Sequence, residues 1–227
     1  MKFEKETVLA FDVYGTLIDP HALIPVLAGI VGDKAAHVSD QWRQKQLEYS
    51  FRRGLMGDFV PFSVVTGQAL DYALAVAGAD ITEAERASLL TKYRTLEAFS
   101  DAKDCLSAIK AVGVSSYAFS NGDPDDIQSL LEAQDLWQSL DGAVSVLPAQ
   151  SFKPDPATYS HFCRSTGSEA KNCCLVSSNP FDVIGAINAG WQAVWIQRNP
   201  AAVFDTWGTA PTRTLASLSE LPGLIQL

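Results

Sequence analysis

Leu9-Ala10-Phe11-Asp12-Val13-Tyr14-Gly15-Thr16-Leu17-Ile18-Asp19 decides how the rest of the chain is read. An apolar run that stops at a carboxylate, followed at once by a glycine turn and a hydroxyl, predicts a buried strand that delivers Asp12 to the C-terminal edge of a sheet. Open α/β sheets bind their ligands at that edge. Asp12 is therefore the candidate nucleophile, and Thr16 the hydroxyl placed to hold it.

Outward from this segment the pattern turns helical. Val38 to Met56 carries Trp42, Leu47, Tyr49, Phe51 and Leu55 at mixed helical spacing, and Pro61 to Ala79 continues with Phe62, Val65, Leu70 and Leu74. Thr82-Glu83-Ala84-Glu85 reads as a capping box at the start of another helix. From Phe99 onward short apolar strands alternate with helices, the signature of a parallel sheet covered on both faces. Strands are expected at Ser116 to Phe119, Ala143 to Leu147, Cys173 to Val176 and Ala193 to Ile196, the last of these closing the core. A helix from Asp101 to Val112 should end at Gly113 in a left-handed cap. Each strand runs into polar residues, which gathers Asp12, Ser120, Lys153 and Asp182 around one cleft. The expected fold class is α/β: a doubly wound, mainly parallel Rossmann-like sheet. Residues 1–19 and 98–227 would form the core, and residues 20–97 an inserted helical cap.

Composition narrows the function. A length of 227 residues with 47% hydrophobic and 19% charged residues suits one compact domain with an insertion. No apolar stretch approaches the roughly 20 residues that span a bilayer, so no membrane partner is expected. A formal charge of -9 opposes nucleic-acid binding and obliges an anionic substrate to meet a locally basic site. Asp12 lies close to the N-terminus behind a charged segment, which argues against a cleavable leader and for a cytoplasmic location. Cys105, Cys163, Cys173 and Cys174 lack C-x-x-C spacing and read as buried free thiols. His21, His37 and His161 are too scattered to suggest a metal or a triad.

Five segments carry a more specific signal: Phe11 to Thr16, Trp42 to Tyr49, Phe119-Ser120-Asn121-Gly122, Lys153-Pro154-Asp155-Pro156-Ala157-Thr158-Tyr159, and Ser177-Ser178-Asn179-Pro180-Phe181-Asp182. In this order they resemble the type II L-2-haloacid dehalogenases of the haloacid dehalogenase superfamily. The resemblance implies displacement at carbon: Asp12 attacks C2 of a short 2-haloalkanoate, expels halide and forms an aspartyl ester, which water hydrolyses with overall inversion. It implies no metal and no cofactor, a small-molecule 2-haloacid as partner, and a homodimer.

The same resemblance assigns roles. Lys153 would pair with Asp12 and favour its ionised form. Thr16 and Ser177 would hold the nucleophile or a developing oxyanion. Arg43 would bind the leaving halide or the substrate head group. Ser120 and Asn121, with the backbone amides of Val13 and Tyr14, would receive carboxylate or halide. Tyr159 would assist catalysis, Asn179 would complete the cleft, and Asp182 would orient Lys153 or the hydrolytic water. Leu47, Phe62 and Phe181 would wall the C2 substituent, Phe181 standing where some relatives carry tryptophan.

Two departures separate the chain from the phosphatases of that superfamily. Tyr14 stands where they carry a second acid to protonate a departing alkoxide, and Ser177-Ser178 stands where G-D-x-x-x-D would supply another carboxylate for magnesium. A halide leaves without a proton. Related proteins that open a strained ring amine such as azetidine-2-carboxylate would need acidic or hydrogen-bonding groups in place of Arg43 and apolar walls. A binding module that had lost activity would not be expected to keep Asp12, Lys153 and Asp182 together.

Overall fold

Strand β1, Val8–Asp12, is buried from Leu9 onward, as an apolar run covered on both faces should be. The computed structural model describes residues 6–205 and 208–225; the charged segment before Glu6, on which the absence of a leader was read, lies outside them. Four helices follow β1: α1 (Ile24–Val31), α2 (Ala35–Met56), α3 (Phe62–Ala77) and α4 (Glu83–Tyr93). The α/β part then resumes as α5 (Ala102–Ala111), β2 (Ser115–Ser120), α6 (Pro124–Ala133), β3 (Gly142–Ser145), α7 (Pro156–Thr166), β4 (Cys173–Ser177), α8 (Pro180–Asn188), β5 (Gln192–Ile196) and β6 (Arg213–Leu215).

Among the described residues six strands pair in parallel in the order β3-β2-β1-β4-β5-β6. β1 is central: Asp12 is in register with Phe119 of β2, and Phe11 with Val176 of β4. The chain leaves β1 toward β2 on one side and returns to β4 on the other, so the strand order switches beside Asp12. Ligands of open α/β sheets bind in the crevice that such a switch opens.

The helical insertion leaves and rejoins the sheet at neighbouring points. Asp19 N donates to Glu97 O at 2.9 Å and Phe99 N to Leu17 O at 2.9 Å, so the two connecting segments run side by side. In α2 the buried residues Val38, Trp42, Gln46 and Ser50 recur every fourth position and form one stripe. Two of them are polar, and Ser50 Oγ donates to Gln46 O at 2.8 Å. The start of α4 is the expected capping box: Glu85 N donates to Thr82 Oγ1 at 3.2 Å and Thr82 N to Glu85 Oε2 at 2.7 Å. Gly113 ends the α5 region with φ +73°.

Three expectations are corrected. Ile196 does not close the sheet, because Arg213–Leu215 adds β6 beside β5. Only Leu215 of that short strand is buried, so it has no apolar run to betray it. The strand expected from Ala143 to Leu147 stops at Ser145, whose hydroxyl donates to Gly122 O at 2.6 Å and accepts from Leu147 N at 3.2 Å, turning the backbone out of the sheet. Cys163 is half-buried rather than buried, 3.7 Å from the Cys173 sulfur, while Cys105, Cys173 and Cys174 are buried free thiols.

Candidate active site

The C-terminal ends of β1, β2 and β4 bring Asp12, Ser120 and Ser177 to one edge. The turn after Asp12 is tight: Val13 O accepts from the amides of Thr16, Leu17 and Ile18 at 3.2, 2.9 and 3.0 Å. Gly15 makes it possible with φ +94°, a backbone conformation that side chains with a Cβ rarely adopt. The turn swings Thr16 back so that its hydroxyl donates to Asp12 Oδ2 at 2.8 Å. Ser177 Oγ and Asn179 Nδ2 reach the same oxygen at 3.1 and 2.6 Å.

The proton directions are fixed by backbone amides. Ser178 N donates to Thr16 Oγ1 at 2.8 Å, and Asn179 N to Ser177 Oγ at 3.1 Å, so each hydroxyl must turn its own proton toward Asp12. Three donors on Oδ2 exceed its two lone-pair directions. Oδ1 accepts from Lys153 Nζ at 2.9 Å. The two oxygens of Asp12 are thus inequivalent.

Lys153 follows β3 in the loop before α7, across a cis Lys153–Pro154 peptide. It is 1% exposed. Its ammonium donates to Asp12 Oδ1, to Asp182 Oδ2 at 2.6 Å and to Phe119 O at 2.9 Å, which uses all three protons. Asp182, in the first turn of α8, is fully buried and receives the Tyr159 hydroxyl on Oδ1 at 2.7 Å. Both oxygens of Asp182 are therefore taken, and it acts on the cleft through Lys153. Tyr159, also fully buried, stands behind Asp182 rather than in the cleft.

The charges settle unequally. Burial works to raise the Asp12 carboxyl, but the Lys153 charge and hydrogen bond, the Thr16 bond and the Arg43 charge together hold it below the usual carboxylate range. Burial likewise opposes the Lys153 ammonium, and its two carboxylate partners overcome that and raise it. Asp182 goes the other way: burial and the like charge of Asp12 outweigh Lys153 and Tyr159, and its carboxyl is pushed up to about 6. At neutral pH the trio carries one ammonium and two carboxylates. Burial also raises the Tyr159 hydroxyl well above its ordinary value, so it stays a hydrogen-bond donor.

From the cap, Arg43 on α2 reaches over the cleft. Its Nη2 donates to Tyr14 O at 3.0 Å and lies 3.4 Å from Asn179 Oδ1, and its Nη1 donates to Gln46 Oε1 at 2.9 Å. A cavity of about 10 Å³ remains between cap and core, lined by Asp12, Tyr14, Arg43, Leu47, Phe62, Ser120, Asn121, Lys153, Asn179 and Phe181. Asn121 Oδ1 accepts from Lys153 N at 2.8 Å, which leaves its amide Nδ2 to offer an anion. Ser120 Oγ accepts from Gly122 N at 3.0 Å, which leaves its hydroxyl proton. Val13, Thr16 and Ser177 are fully buried beneath this floor.

The donor set does not fit a magnesium ion. Tyr14, standing where a phosphatase acid would, packs its ring 5.5 Å from Tyr93 and 5.8 Å from Phe62. Burial, with the nearby Tyr93, Asp126 and Asp123, raises its hydroxyl far above the usual value. Ser178 presents a buried hydroxyl without a partner among the described residues. No group of three or more His, Cys, Asp or Glu among the described residues is placed to hold a metal.

The profile of the haloacid dehalogenase-like hydrolases matches residues 7–190. The chain belongs to that family. As a haloacid dehalogenase-like hydrolase it is similar to (S)-2-haloacid dehalogenase 1 of Pseudomonas sp. strain CBS-3, at 38% identity over 95% of this chain and 94% of the relative. Haloacetate dehalogenase H-2 of Moraxella sp. strain B is 32% identical over 98% of this chain and 99% of its own. Among solved structures, L-2-haloacid dehalogenase from Xanthobacter autotrophicus with chloropropionic acid covalently bound superimposes with a TM-score of 0.90 at 30% identity, covering 96% of this chain and 97% of the other.

Two parts of this haloacid dehalogenase-like site were not read from the sequence. Gln46 is fully buried: its Oε1 accepts from Arg43 and from the Tyr93 hydroxyl at 3.1 Å, and its Nε2 donates to Thr66 Oγ1 at 2.7 Å. The signal was available, since Gln46 follows Arg43 by one helical turn within the buried stripe of α2. Arg198, just past β5, donates to Thr16 O at 2.6 Å, pairs with Asp101 at 3.0 and 3.2 Å, and lies over the Phe99 ring. It braces the turn after Asp12 from behind through contacts distant in sequence.

Proposed function

We propose that the chain hydrolyses short (S)-2-haloalkanoic acids to (R)-2-hydroxy acids and halide, and haloacetates to glycolate, through an ester on Asp12 and without a metal. The observation that carries this reading is the inequivalence of the Asp12 oxygens. Oδ2 is saturated by Thr16, Ser177 and Asn179, whereas Oδ1 has the Lys153 bond and a lone pair to attack with. In-line attack of Oδ1 on C2 forms the C–O bond as the carbon–halogen bond breaks, and the electron pair leaves with the halide. Arg43 receives halide or carboxylate, and the free protons of Ser120 and Asn121, with the backbone amides of Val13 and Tyr14, receive the other anion. Leu47, Phe62 and Phe181 exclude water from the C2 substituent.

Hydrolysis of the ester uses the same geometry. Water attacks the Asp12 carbonyl carbon, negative charge develops on Oδ2, and Thr16, Ser177 and Asn179 already point at it. Breaking the bond from that carbon to Oδ1 releases the hydroxy acid with Oδ1 as its new hydroxyl oxygen, protonated as it leaves from Lys153, which lies 2.9 Å from Oδ1 and regains a proton from the attacking water. The water's proton passes to the Lys153–Asp182 pair, Asp182 being the carboxylate with raised proton affinity, and Tyr159 holds Asp182 in place. Tyr14, in the place where a phosphatase carries the acid that protonates a leaving oxygen, favours halide over phosphate and ring-amine substrates.

The assembly we propose divides into a core of residues 1–19 and 98–227 and a cap of residues 20–97, in a cytoplasmic homodimer that binds neither membrane nor nucleic acid. Leu55 and Met56, exposed by 92% and 67% at the end of α2, support a self-association surface. Among the described residues no helix is long and apolar enough to cross a membrane.

The test is halide release from L-2-chloropropionate and chloroacetate with a chelator present, comparing the intact protein with Asp12→Asn, together with a single turnover in ¹⁸O water. Chelator-resistant release that the substitution abolishes, with the label appearing first in the Asp12 carboxylate, is the expected result. No release from any haloacid, with an aryl phosphate hydrolysed only when magnesium is added, would overturn the reading.

A further inference from the structure

Asp123 occupies the position from which a side chain caps its own helix. It precedes α6 with φ −70° and ψ 144°, the extended geometry of a helix-capping residue, yet its side chain makes no bond to the first turn of α6. Its carboxylate instead crosses from core to cap. Oδ1 accepts from Phe62 N at 3.1 Å and Oδ2 from Ser63 N at 3.2 Å, the first two amides of α3. The residue before α3 is Pro61, which has no side chain able to accept these bonds. A core aspartate thus supplies the cap that α3 lacks, and one helix start is left uncapped so that another can be fastened.

The contact lies beside the cavity. The loop that carries Asp123 leaves β2 at Ser120 and opens with Asn121, and the helix it fastens begins with Phe62; Ser120, Asn121 and Phe62 all line the space over Asp12. That space, about 10 Å³, has room for about one water molecule and none for a haloacid. Asp12 itself is 6% exposed, so no haloacid reaches it unless the cap lifts. Next to it is a cleft of about 150 Å³ lined by Asp123, with Tyr14 and Phe62 as walls shared with the cavity over Asp12.

We infer that the Asp123 carboxylate is a latch: engaged with the α3 amides it seats Phe62 over the reaction cavity, and released it lets the cap lift so that the outer cleft opens onto Asp12. Asp123 is a positioning residue, acting on substrate through Phe62. The inference rests on the displacement reading for its catalytic consequence, but not for its structural one.

The experiment compares the intact protein with Asp123→Ala, Asp123→Asn and, as a control on the exposed first turn of α6, Asp125→Ala. Amide hydrogen exchange is read by NMR, and KM and kcat with L-2-chloropropionate. A helix cap lost to alanine should speed exchange of the Phe62 and Ser63 amides by about fivefold or more in Asp123→Ala. The start of α6 should be unchanged, Asn, with one acceptor oxygen for two amides, should restore protection at only one of them, and Asp125→Ala should match the intact protein. KM should rise several-fold, with kcat changed less. Unchanged exchange at Phe62 and Ser63, or faster exchange at the start of α6 instead, would overturn the latch. Faster exchange at α3 with an unchanged KM would equally overturn its part in substrate access. If no haloacid is turned over by any form, the displacement reading fails and exchange alone decides the latch.

Discussion

Lys153 donates to Oδ1 of Asp12 at 2.9 Å, while the three neutral donors converge on the other oxygen. In the displacement proposed above, a cation on one side and neutral dipoles on the other divide the labour of a carboxylate that first attacks and is then attacked. The neutral donors matter most in the second step, when Oδ2 becomes an alkoxide-like oxygen on a tetrahedral carbon. Removing a single oxyanion donor costs roughly 10²–10³ in rate. In Asn179→Ala and Thr16→Val, halide should therefore be released in a burst and the ester should accumulate. Quenched samples should show the covalent adduct on Asp12 by intact-mass spectrometry. Equal slowing of both steps, with no adduct at steady state, would show that these donors serve the nucleophile rather than the oxyanion.

The pH dependence follows from the opposite shifts of the two carboxylates. Asp182, raised to about 6, gains a proton as pH falls below that value, releasing Lys153 and losing the capacity to take the water's proton. The rate of ester hydrolysis should then drop on an acid limb centred near 6, and Asp182→Asn should remove the limb while lowering kcat, a general base being worth roughly 10²–10⁴. Stability has its own sign. Between the ordinary carboxylate value, about 3.9, and the raised value the folded state binds the Asp182 proton more tightly than the unfolded chain, so its contribution falls as pH rises. Asp12, held low, contributes stability that is present above the ordinary value and is lost as pH falls through its folded value. Urea unfolding of the intact protein and Asp182→Asn across this range separates the two, the variant lacking the fall.

What could be read from the sequence is what short-range chemistry dictates. An apolar run ending in Asp12, a glycine turn and a Thr-x-x-Glu start to α4 each specify their structure within a few residues, and each stands where expected. Every residue lining the cavity was a candidate, because strand ends and the resembled motifs converge on one edge. β6 was invisible because a three-residue edge strand with one buried side chain has no periodicity to detect. Arg198 and Asp123 were missed for a different reason. An arginine after a strand and an aspartate before a helix look like ordinary surface and capping residues, and their partners, Thr16 and the α3 amides, are brought to them by the topology.

Gln46 offers the sharpest test of how the cap aims its cation. It is fully buried on α2, bonded to Arg43 on its own helix, to Thr66 on α3 and to Tyr93 on α4, so one amide fixes the guanidinium against all three. Gln46→Leu would leave buried polar groups unpaired, and each such group costs about 1–3 kcal/mol. It would also free Arg43 to swing from Tyr14 O. Lower stability and a KM for the haloacid raised by about tenfold, 1.4 kcal/mol of lost binding, are expected together. Gln46→Glu separates charge from geometry. A carboxylate can accept from Arg43, Tyr93 and a rotated Thr66 hydroxyl, so stability should be largely kept, while the added negative charge offsets Arg43 and weakens capture of an anionic substrate. The expected result is a well-folded variant whose KM rises and depends less on salt than that of the intact protein, measured from initial halide-release rates across an ionic-strength series. An unchanged KM in Gln46→Glu would mean that Arg43 acts on the substrate by position and hydrogen bonding, not through its net charge.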